Sequence, residues 1–118
     1  MDTDTVDFIK VLYPEVYETA KKLYTFEMKV HQLLDDTYGK DTFNSILKLN
    51  EFNQEIDNVR NKVKGTEDTQ LNRLAQKYNK YFDEYSLATY ELKMKIGVKE
   101  TITIMEGLEK YFKSRSLT

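Results

Sequence analysis

Leu71, Ala75, Tyr78, Phe82, Tyr85, Thr89, Leu92 and Ile96 follow one another at spacings of four and three residues in strict alternation. A side chain that recurs every 3.5 residues stays on one side of an α-helix and faces a neighbouring helix along its length. This stripe restricts the chain to helix-on-helix packing. We expect an all-α fold: an elongated three- to four-helix bundle, or an antiparallel coiled-coil-like hairpin, with a long C-terminal helix bent near Gly97. The sparse punctuation agrees. One Pro and four Gly in 118 residues are too few for the many turns of a sandwich or barrel.

Start and stop signals divide the chain into four helices within one domain spanning residues 1–118. A first helix is expected at about 5–12, capped by Asp4 or Thr5. Pro14 disfavours helical geometry at Tyr13 and suits the first turn of the next helix, expected at about 14–38. Val16, Ala20, Leu23, Val30 and Leu34 form its apolar face. Gly39 ends it. A third helix at about 42–64 carries Leu49, Phe52, Ile56, Val59 and Val63, again at spacings of three and four, and stops at Gly65. Thr66-Glu67-Asp68-Thr69 then opens the fourth, expected at about 67–112.

The fourth helix is apolar on two sides. At 100° per residue, Leu71 to Ile96 share one face, whereas Leu87, Met94, Val98, Ile102 and Met105 fall nearly opposite. A helix that is apolar all round packs against further elements. Two coverings present themselves: the first helix, through Phe8, Ile9 and Leu12, or a second copy of the chain in a homodimer. Gly97 lies where the stripe changes side, and a mid-helix Gly is an expected bend.

Candidate chemistry is thin. The chain lacks Cys, which removes thiolate metal sites and a Cys nucleophile. His31 is the only His. Glu27 and Asp35 lie four residues to either side of it, and we read the three as a solvated face with i,i+4 pairing. A di-iron bundle needs Glu-x-x-His on two helices, so no metal is expected. Glu51 and Glu55 are the nearest approach to a carboxylate pair, but both lie off the apolar stripe. There is no Gly-rich phosphate loop and no Ser–His relation resembling a triad. The expectation is no enzyme, no catalytic residue and no cofactor.

Nine Tyr and six Phe remain to be placed. Aromatics at heptad spacing belong to the core, whereas exposed Tyr marks protein interfaces. Tyr81 and Tyr90 lie off the stripe, and Tyr13, Tyr17 and Tyr24 are their counterparts near the N-terminus. Candidate partner-binding residues are therefore Tyr81, Tyr90, Met94, Val98, Ile102 and Met105. Two basic groups offer an alternative. One is Arg60, Lys62 and Lys64; the other is Lys93, Lys95, Lys99, Lys110, Lys113 and Arg115. The second group is spread around its helix and interrupted by Glu91, Glu100, Glu106 and Glu109, whereas a phosphate-binding stripe gathers on one face. The formal net charge of −2 does not favour nucleic acid either.

No stretch approaches the ~20 apolar residues of a membrane span. Met1-Asp2-Thr3-Asp4 is acidic where a secretory signal is basic. A cytoplasmic protein is expected. Lys outnumbers Arg 15 to 3, and Asn, Ile, Tyr and Phe are plentiful, as in products of AT-rich coding sequence. Leu12-Tyr13-Pro14 near the start, and Glu91 through Gly97 to Met105-Glu106 near the end, give the chain a further likeness. It resembles small uncharacterised helical proteins of low-GC Gram-positive bacteria and their phages, in which a Gly within an apolar C-terminal helix follows an acidic coiled segment. This chain departs from them in its longer middle region. The resemblance implies a source and a helical hairpin, and no activity.

Two readings of function follow. The first is a non-enzymatic protein-interaction module, a phage or bacterial regulator, inhibitor or adaptor acting by helix-mediated binding. The alternative is a dimeric nucleic-acid-binding regulator.

Overall fold

The computed structural model describes residues 2–38 and 66–116, and every regular element among them is an α-helix. We number these α1 (Thr3–Leu12), α2 (Pro14–Tyr38), α3 (Thr66–Ile96) and α4 (Val98–Ser116). The helix expected over 42–64, with Glu51, Glu55, Arg60, Lys62 and Lys64, lies outside the described residues.

Local chemistry sets each boundary. Asp2 caps α1: its Oδ1 accepts the Thr5 N–H at 2.8 Å. The sequence had pointed to Asp4 or Thr5, two or three residues downstream. Tyr13 closes α1 in a non-helical conformation, its N–H donating to the Ile9 carbonyl at 2.7 Å. Pro14 starts α2 directly, because its missing N–H would have no helical acceptor there.

Gly97 does more than bend a helix. It adopts φ +97° and separates α3 from α4, so the single helix expected to Phe112 is two helices. Helical i→i−4 bonds meet at this residue from both sides: Gly97 N–H donates to the Lys93 carbonyl at 3.0 Å, and Thr101 N–H donates to the Gly97 carbonyl at 3.2 Å. The break redirects the buried face. Tyr85, Thr89 and Leu92 are buried on α3, whereas Thr101, Leu108 and Phe112 are buried on α4. On a straight continuation those three would lie on the side opposite Tyr85.

Two compact units divide the chain. The first comprises Met1–Thr25 and Lys80–Thr118; the second comprises Phe26–Asn79. In the first, Val6 and Ile9 of α1 are buried together with Val16, Ala20, Leu23 and Tyr24 of α2. α1 runs antiparallel to α4. Arg115 donates to the Thr3 hydroxyl at 3.2 Å at one end, and Tyr13 shares a groove with Ile96 and Glu100 at the other. Ring edges interlock the core: Tyr17 meets Phe112 edge-on at 5.4 Å, and Tyr24 meets Tyr85 at 5.6 Å. The Tyr24 hydroxyl donates to the Tyr85 hydroxyl at 3.2 Å, so the two buried phenols share a hydrogen bond.

Polar residues in this core are accommodated locally. The Thr89 hydroxyl donates to the Tyr85 carbonyl at 2.9 Å, and the Thr101 hydroxyl donates to the Gly97 carbonyl at 2.7 Å. Lys113, only 8% exposed, pairs with Glu109 at 3.4 Å and lies 5.5 Å from the Tyr24 ring centroid. In the second unit, Val30 and Tyr78 are buried, and Lys77 sits over the Phe26 ring at 5.5 Å.

Candidate protein-docking face

Burial of the heptad stripe fixes what α3 leaves outside. With Tyr85, Thr89 and Leu92 turned into the core, helical geometry turns Leu87, Tyr90 and Met94 outward. Their exposures are 62%, 62% and 75%. Beyond the break at Gly97, Val98 at 58% and Ile102 at 42% are exposed on α4 as well. Five large apolar side chains thus line the outside of one compact unit. Isolated exposed apolar residues are ordinary, whereas several on one unit make a candidate interaction surface.

Four of the six candidate residues belong to this row: Tyr90, Met94, Val98 and Ile102. Met105 is half-buried at its far end. Tyr81 is half-buried and points to a different side of α3, so it stands apart from the other five. Leu87 completes the row and was absent from the partner-binding candidates; its spacing of three and seven residues before Tyr90 and Met94 was the available signal. Tyr17 and Tyr24, the aromatic counterparts near the N-terminus, are core residues.

α1 does not cover the row. Val6 and Ile9 are its buried residues, whereas Phe8 and Leu12 are 66% and 49% exposed. The expected contact through Phe8 and Leu12 is therefore corrected. α1 turns Val6 and Ile9 to the core beside α4 and leaves the exposed side chains of α3 uncovered.

Grooves border the row. One is lined by Leu12, Pro14, Ala88, Glu91, Leu92 and Lys95. The next, around Leu87, has an acidic edge of Glu15, Glu18, Glu84 and Glu91. Lys95 and Lys99 are exposed further along, beyond Met94.

Glu27 is fully buried and His31 half-buried, which corrects the reading of these two as a solvated face. Among the described residues, no group of three or more His, Asp or Glu is placed to hold a metal ion. Hydrogen bonds from Thr5, its side chain first and its backbone N–H second, hold the Asp2 carboxyl below its ordinary 3.8. The basic group of α3 and α4 is also dispersed, since Lys113 is taken into the core and Arg115 lies on the Tyr111 ring at 4.2 Å. No helix among the described residues is long and apolar enough to cross a membrane.

Comparison with family models, curated proteins and solved structures returned no match to this chain.

Proposed function

We propose that this chain is a small non-enzymatic protein-interaction module, acting in the cytoplasm as a bacterial or phage regulator, inhibitor or adaptor. Its working surface is the outer face of α3 and α4. The observation that carries the reading is the row Leu87, Tyr90, Met94, Val98 and Ile102, exposed while the opposite stripe of α3 is buried. A partner helix laid along Leu87, Tyr90 and Met94 of α3 engages anchors at helical spacing, with Tyr90 and Met94 as the central contacts.

The test compares the wild-type chain and a Tyr90→Ser/Met94→Ser variant as baits in nuclease-treated lysate. A protein retained by the wild type and lost at least tenfold by the variant, at equal helicity, supports the reading. Equal recovery by both baits removes the proposed surface. Partners that vanish on nuclease treatment favour the nucleic-acid reading instead.

A further inference from the structure

We infer that two copies of this chain exchange α4: Gly97 is a hinge that straightens, and α4 of each copy seats on α1 and α2 of the other. The inference stands on the geometry at Gly97 and goes beyond the docking-face reading.

The break between α3 and α4 is one residue long. Gly97 N–H still donates to the Lys93 carbonyl, and Thr101 N–H to the Gly97 carbonyl, so i→i−4 bonds reach the hinge from both sides. The φ of +97° at this residue folds α4 back. Folding back has a cost, because the last carbonyls of α3 and the first N–H groups of α4 lose the partners that a continuous helix would give them. A helical φ at Gly97 restores those partners. The contacts of α4 with its own α1 and α2 can then be remade with those of a second copy: Phe112 against Tyr17, and Arg115 against Thr3. Exchange of an identical element alters the hinge and keeps the rest, which makes it a low-cost route to a dimer.

The helical wheel supplies the second observation. In the folded-back chain α4 buries Thr101, Leu108 and Phe112, while Leu87, Tyr90 and Met94 of α3 are exposed. At 100° per residue along one continuous helix, these six positions fall within about 60° of one another, opposite Tyr85. The face by which α4 seats on α1 and α2 therefore runs on, through the straightened hinge, into the exposed apolar side chains of α3. A second copy seated on that face has Leu87, Tyr90 and Met94 turned toward it, whereas Tyr85, Thr89 and Leu92 stay in their own core. Both apolar sides of the helix are used in this form. Dimer and partner complex then exclude one another at the outer face of α3, and this consequence alone rests on the docking-face reading.

Gly97→Ala is the lever, because Ala resists the positive φ and favours a helix more than Gly does. At about 1 μM the variant should sediment as a monomer; refolded at about 500 μM, it should show a dimer fraction at least tenfold above that of the wild type. The chain lacks Cys, so introduced thiols report on the exchange directly. Thr3→Cys and Arg115→Cys chains, refolded together at the higher concentration, should form a disulfide heterodimer. Its yield should exceed at least tenfold that of a Thr3→Cys and Lys22→Cys mixture, Lys22 being an exposed site on α2. Adding Tyr90→Ser/Met94→Ser to Gly97→Ala should weaken the dimer at least tenfold at equal helicity. Three results overturn the inference: a Gly97→Ala protein that folds and stays monomeric throughout, heterodimer yields equal in the two mixtures, or a dimer indifferent to Tyr90→Ser/Met94→Ser. The two mixtures are decisive on the wild-type hinge as well, should Gly97→Ala fail to fold. The lysate comparison decides the docking face separately, on the monomer.

Discussion

At Asp2, one carboxylate performs two tasks. Its Oδ1 accepts the Thr5 N–H, and its charge lies at the positive end of α1. Hydrogen bonding to the ionised form lowers its pKa below 3.8, so the native state binds this proton less readily than the unfolded chain does. The stabilisation is therefore present above pH 3.8 and is lost as pH falls through the lower native value. Asp2→Asn keeps a capping oxygen and removes the charge. Thermal unfolding of the two proteins should differ above pH 3.8, with the wild type the more stable, and should converge in stronger acid. Glu27 shows how much one residue's setting escapes a sequence. Its i,i+4 relation to His31 reads as a solvated pair, yet Glu27 is fully buried. Helical spacing records which residues share a face, and a carboxylate gives no sign that the face is turned inward.

Gly97 is the decisive position at the scale of elements. In an unbroken helix, Gly→Ala stabilises by about 1 kcal/mol. At φ +97° an L-residue is strained instead, and Gly97→Ala should destabilise the protein by about 1–2 kcal/mol in a urea titration. The added Cβ would lie 3.2 Å from Glu100 Oε2, the far end of a flexible side chain, so the expected penalty is one of backbone conformation. The sign alone separates a break from a bend. Much at this scale was legible in the sequence. Pro14 marked the start of α2, Thr66 the start of α3, and Tyr78, Tyr85 and Leu92 the buried stripe. The side change at Gly97 was legible too, but its outcome was not. Apolar Val98 and Ile102 stay outside, while Thr101 and Lys113 go in. Periodicity ranks residues by polarity, and it cannot register a rotation of the buried face brought about by one positive φ.

The whole molecule carries little net charge, −2 in 118 residues. Partner binding through its exposed apolar side chains should accordingly respond weakly to salt. Raising ionic strength from about 50 to 500 mM should change the affinity for a protein partner less than about threefold, because exposed ion pairs contribute little. Phosphate-directed binding would instead fall by orders of magnitude over that range. Fluorescence anisotropy of the labelled chain at both salt concentrations makes the comparison. A mean hydropathy of −0.66 describes a polar chain on paper. Thr89 and Thr101 contribute to that average as hydroxyl-bearing residues, yet each has turned its hydroxyl back to a carbonyl of its own backbone. To the helix packed against them they present little more than a methyl group, and the interior they line has the surface character of valine.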